Sequence, residues 1–96
     1  MNGAMATTLY VRAKDLLEAE LGDDLVALDV DGGHCFGFNS VAADIWRLLD
    51  RPQDFDTLRL ALMDQYEVDV GECAVELRSC LADLEMQGLV RTIKGD

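Results

Sequence analysis

Apolar residues alternate with acids at Leu17, Ala19 and Leu21, set against Glu18 and Glu20. They then run almost unbroken through Leu25-Val26-Ala27-Leu28-Asp29-Val30, and alternate again through His34-Cys35-Phe36-Gly37-Phe38. A period of two marks a strand half-buried against a core. Turn residues separate the runs: Gly22-Asp23-Asp24 after the first, and Asp31-Gly32-Gly33, tolerant of positive φ, after the second. Residues 16–38 therefore predict a small antiparallel meander, although the letters of 16–21 also suit a helical turn. Upstream, Leu9–Lys14 reads as an extended arm.

At Asn39 the period changes to that of a helix. Asn39 or Ser40 supplies a capping oxygen, and Val41, Ile45, Leu48 and Leu49 form an apolar stripe that Trp46 widens. Arg51-Pro52 stops it, because a residue before proline disfavours the α region. Asp54 caps a second helix with stripe Leu58, Leu62 and Tyr66, helped by Phe55 and Ala61, with Asp56 in the first turn and Val68 at the end. Asp69 and Glu72 have capping-box spacing ahead of a third helix with stripe Val70, Ala74, Leu77, Leu81 and Leu84. Gly88 stands where a left-handed residue ends a helix, and Leu89–Ile93 is a short terminal strand or extended tail. Strands followed by helices predict an α+β domain, winged-helix-like, with a three-stranded antiparallel sheet followed by three helices.

Length and composition refine this picture. Ninety-six residues suit one domain, which we place at 9–94. Residues 1–8 read as a flexible lead-in, and the second Met, at position 5, suggests that the first of them are an expression remnant. Nineteen acidic and eight basic side chains give a formal charge of -11, a surface that repels phosphate backbones and anionic membranes. The helix-turn-helix pattern raises DNA binding as a hypothesis. The third helix argues against it, carrying Glu72, Glu76, Asp83 and Glu85 against Arg78 alone. Three cysteines, at 35, 73 and 80, are odd in number and widely spaced, which points to a reducing cytoplasm rather than a disulfide framework. No apolar run approaches the roughly 20 residues of a membrane span, and the start lacks the charged and apolar regions of a signal peptide.

Candidate chemistry is sparse. His34 and Cys35 are neighbours on a strand and face opposite sides, so they make no base–nucleophile pair; a rim histidine beside a small buried cysteine is the simpler expectation. Cys73 and Cys80 lie about 10 Å apart along a helix, too far to share one tetrahedral ion. Asp29-Val30-Asp31-Gly32 begins like a calcium loop, but its twelfth position is Ser40, not Glu. We expect no catalytic residue, no metal and no cofactor. A binding surface remains. The strand Gly33–Asn39 carries small Cys35 and Gly37 on one face, and Gly in a strand often marks close approach by another backbone. At a sheet edge its free amides would pair with an incoming peptide; in mid-sheet the same residues would make an ordinary core strand. On the third helix, one flank of the stripe is Cys73, Glu76, Cys80 and Asp83, and the other is Val75, Ser79, Ala82 and Met86. Either flank suits a groove wall or a boundary packed on a neighbouring helix.

The order of a hairpin, then GGHCFGFNSVAADIWRLLD, DFDTLRLALMDQYEVD and VELRSCLADLEMQGLV resembles the PqqD-like family, the recognition elements for ribosomally made, post-translationally modified peptides (RiPPs). The similarity covers about residues 16–93, through Phe38-Asn39, the Ile45-Trp46-x-Leu48-Leu49 helix and Leu84-x-x-x-Gly88-Leu89. The resemblance implies a winged-helix-like fold that binds the leader region of a precursor peptide as an added strand, with side chains entering a groove against the third helix. Carried onto this chain, the peptide-binding residues are His34, Cys35, Phe36, Gly37 and Phe38 on the strand, with Cys73, Glu76, Leu77, Cys80, Asp83 and Leu84 on the helix. Relatives commonly place an acid where Glu76 stands, which favours that flank. The chain looks closest to the standalone leader-binding proteins of lasso-peptide pathways, which deliver a precursor to a separate leader peptidase and cyclase. It departs from the usual pattern at Cys35 and Gly37, where bulkier or polar residues are common. The acidic charge balance, and not the resemblance, is what argues against nucleic acid and membrane as partners. The alternatives are a winged-helix transcription regulator, or a PqqD-type peptide chaperone in another radical-SAM or cofactor pathway.

Overall fold

The computed structural model describes residues 7–95, so the expectation of a lead-in at 1–6 lies outside the described residues. In chain order the elements are β1 (Thr7–Arg12), β2 (Leu17–Leu21), β3 (Asp24–Asp29), β4 (His34–Phe38), α1 (Ser40–Leu48), β5 (Gln53–Asp54), α2 (Phe55–Gln65), α3 (Val70–Met86) and β6 (Val90–Gly95). The predicted meander is present as an antiparallel sheet of order β2-β3-β4. Gly22 and Gly33, at φ +64° and +69°, make its two turns, a conformation that a side chain would strain.

One face of this sheet enters the core. Leu25 and Ala27 are buried, and Phe38 and Phe36 lie across from them on β4. The opposite face is open, leaving Leu17 and Leu21 of β2 and Leu28 of β3 exposed. Asn39 ends β4 and starts α1 at once: its side-chain oxygen accepts from the Ala42 N–H at 2.9 Å. Asp54 and Asp69 do the same for α2 and α3, accepting from Thr57 and Glu72. Each satisfies one orphan donor of the first turn. Gly88, at φ +74°, closes α3, with the Leu89 N–H returning to the Leu84 carbonyl at 2.9 Å.

A second sheet, of order β5-β1-β6, holds the two ends of the described chain together. The residues expected as an arm and a tail pair over their whole length, from Arg12 opposite Val90 to Thr7 opposite Gly95. Thr7 and Thr8, expected in a flexible lead-in, are strand. The two sheets meet at Trp46, which is fully buried. Its indole N–H donates to Glu18 of β2 at 2.9 Å, and its ring lies 5.6 Å from Phe38 of β4. The Arg12 guanidinium of β1 sits 4.4 Å over the same ring and donates to the Trp46 carbonyl.

The helical stripes are as expected at Ile45, Leu49, Leu58, Leu62, Leu77, Leu81 and Leu84, all buried. The first turn of α3 differs. Val70, expected in the stripe, is 55% exposed, and Cys73 is buried instead, its thiol 3.7 Å from the Arg59 carbonyl of α2. Val70 lies on the same face as Leu77, seven residues on, yet stays exposed.

Candidate functional site

β4 is the outer strand of its sheet. It bonds to β3 on one side and to no strand among the described residues on the other. Beside its C-terminal end a groove of about 470 Å³ opens between β4, the first turn of α1 and α3. Gly37, Phe38, Asn39, Val41 and Ala42 form one wall; Val75, Glu76, Ser79, Cys80, Asp83, Leu84 and Gln87 form the other. At 100° per residue, Glu76, Cys80, Asp83 and Gln87 make one row along α3, bounded by Leu84 toward the core and by Val75 and Ser79 outside.

The groove is acidic. Glu76 and Asp83 line it, no Lys or Arg does, and neither acid is in an ion pair among the described residues. Arg78, the one basic residue of α3, is turned away and stacks 4.5 Å over Phe55. Burial, and then the Asp83 charge, push the Cys80 thiol up from its ordinary value, so it is uncharged at neutral pH.

The sequence-derived candidates divide into three groups. Gly37, Phe38, Glu76, Cys80, Asp83 and Leu84 meet in the groove. His34, Cys35 and Phe36 continue the same open strand away from it, with His34 and Phe36 ring centroids 6.3 Å apart. Cys35 is exposed rather than buried, because its face of the sheet is the uncovered one. Cys73 and Leu77 are buried core residues and line a second, smaller cavity. Both flanks of α3 contribute, Val75 and Ser79 as well as the Glu76 row, while Ala82 and Met86 stay outside. Sequence reading missed Asn39, Val41 and Ala42, which serve the groove because the α1 cap holds the first helical turn against the end of β4. The abrupt junction of strand and cap was the available signal. Among the described residues no cluster of His, Cys, Asp or Glu is arranged to hold a metal ion, and no helix is long and apolar enough to cross a membrane.

Two solved structures are similar to this chain. One, described as TbiB1 in complex with the TbiA(beta) leader peptide, has a TM-score of 0.74 and 26% identity over 84% of this chain and 94% of that one. Another, lasso peptide synthetase B1 complexed with the leader peptide, has a TM-score of 0.70 and 23% identity over 85% of this chain and 96% of that one, a likeness of fold. No curated protein matches the sequence. The profile of the family described as coenzyme PQQ synthesis protein D (PqqD) matches residues 24–90, from β3 through the whole groove to the start of β6, and the chain belongs to that family.

Proposed function

We propose that this protein is a non-catalytic recognition element for a RiPP precursor. It binds the leader region as a strand added to β4 and delivers it to a partner leader peptidase or cyclase, in lasso-peptide biosynthesis. The observation that carries the reading is the edge of β4, unpaired among the described residues, opening directly onto a groove walled by α3. Strand addition supplies main-chain hydrogen bonds of low sequence preference, and the groove supplies register and choice. Glu76 and Asp83 favour a leader carrying Lys or Arg, adding orientation and on-rate more than raw affinity. The two similar structures, each with a leader peptide bound, support the same reading. Holding the precursor beside its enzyme raises the local concentration of substrate without any chemistry by the holder. We place the protein in the cytoplasm, where precursor and enzyme would meet.

The test is to search the neighbouring genes for a short precursor and to titrate its leader into the protein by calorimetry. Gly37→Pro removes a backbone donor from the edge strand and sets a ring against an added strand. A Cβ at Gly37 would meet nothing within 4 Å, so the site is open. The expected result is lost leader binding with an unchanged circular dichroism spectrum. Unchanged affinity would remove β4 as the docking edge. Protection of β4 amides from hydrogen exchange in the wild-type complex is the second measurement, and its absence would count equally against the proposal.

A further inference from the structure

A cavity of about 160 Å³ adjoins the groove on the far side of Val41 and Glu76, which line both. Its walls are apolar: Val41 of α1, Leu62 and Tyr66 of α2, Val68 of the link, and Leu77 of α3. Its rim carries Glu72 and Glu76. A space of roughly 150 Å³ holds a benzene-sized guest, so this one has room for a single long side chain.

The rim decides which side chain. Glu72 and Glu76 are four residues apart on one face of α3, where like charges repel. Neither is in an ion pair among the described residues. The Glu72 N–H is taken by Asp69, but its carboxylate makes no return bond to Asp69 among the described residues, so the capping box is half-formed and the acid is left at the rim. An apolar guest would fill the walls but leave the two exposed carboxylates at the rim without a partner. An acidic guest would be repelled. A basic residue matches both parts, its methylenes against the walls and its cation at the rim.

We propose that this cavity is a side-chain subsite for one Lys or Arg of the bound peptide, with the stem among Val41, Leu62 and Val68 and the charge between Glu72 and Glu76. The inference rests on the peptide-recognition reading above. It adds that the basic residue lies just outside the strand-paired segment, at the end that meets Phe38, because the cavity lies beyond the first turn of α1.

The experiment is a selection of random dodecapeptides, by messenger-RNA display, on the immobilised full chain and on two variants. Glu72→Gln neutralises an acid that lines the cavity but not the groove; Val68→Trp fills the cavity from the link. The wild type is expected to enrich a β-forming consensus with one basic position near its end, and both variants to lose that position while keeping the rest. Replacing the basic residue of a selected peptide by norleucine should weaken wild-type binding about ten-fold and binding to Glu72→Gln much less. A basic position that survives in both variants, or an apolar residue enriched there, overturns the subsite and leaves strand addition standing. A wild type that enriches no peptide removes the peptide-recognition reading and the subsite with it.

Discussion

Trp46→Phe tests how the groove is held in shape. The substitution keeps an aromatic ring against Phe38 but removes the pyrrole half of the indole and its N–H. The lost apolar volume is worth roughly 1–2 kcal/mol at about 0.8 kcal/mol per buried methylene-sized group. The hydrogen bond to Glu18 would contribute ~1.5–3 kcal/mol if dry. The Glu18 side chain keeps 32% of its surface exposed and also has Arg12 at 3.6 Å, so we discount that contribution to roughly 1 kcal/mol. Weakened stacking of Arg12 adds ~0.5 kcal/mol, and its bonds to the Trp46 carbonyl survive. The sum, about 3 kcal/mol, is a large part of the ~5–15 kcal/mol expected of a domain. Urea unfolding followed by circular dichroism reads it as a drop in midpoint of ~1–3 M if the slope is unchanged. A double-mutant cycle with Glu18→Gln isolates the polar part, with an expected coupling of about 1 kcal/mol. A loss below about 1 kcal/mol, or no coupling to Glu18, would refute the claim that this tryptophan joins the two sheets to α1.

Charge reversal at Glu76→Lys should weaken leader binding about five-fold, roughly 1 kcal/mol, and flatten its salt dependence in calorimetry; a salt slope equal to that of the wild type would remove the electrostatic role. Asp29 accepts from the Gly32 N–H at 3.1 Å and from Lys14 at 3.0 Å, which in that order hold its carboxyl below the ordinary 3.8. A depressed carboxylate adds stability above its unfolded value and loses it as pH falls through the folded one. Asp29→Asn should therefore lower the melting temperature at neutral pH and flatten its fall below about pH 4; parallel melting curves against pH would contradict this. Among the thiols, iodoacetamide should modify exposed Cys35 first, half-buried Cys80 slowly and Cys73 only on unfolding, as read by peptide mass mapping. Saturating leader should protect Cys80 further.

The meander and the three helices were legible because each rests on local signals: period two between glycine turns, period 3.6 between caps. That β4 lies at the sheet edge was left open by its residues and was implied by the family resemblance alone. Phe38-Asn39 was legible from local signals too, since a core residue followed by a capping side chain leaves the chain little choice. The pairing of β1 with β6 was not. It joins residues that are far apart in sequence, and neither Thr7–Arg12 nor Val90–Gly95 has an alternation strong enough to declare a partner. The first turn of α3 misled for a different reason: Val70 and Cys73 both fall within reach of the stripe, and only the tertiary contact of Cys73 with the Arg59 carbonyl of α2 separates them. The smaller cavity was invisible because Leu62, Tyr66 and Val68 read as plain core letters; their gap exists only where three helices fail to close.

The ribbon of β1 and β6 has a practical meaning. Thr7 and Gly95 are cross-strand neighbours, within ~5 Å of each other by the spacing of antiparallel pairs. A host polypeptide interrupted at a surface loop would thus enter and leave this domain through one narrow stalk, with the groove beside β4 built from other elements. The architecture is that of a cartridge, able to be spliced into a larger enzyme, or permuted by sealing the stalk and reopening the chain at Arg51-Pro52, without disturbing what it grips.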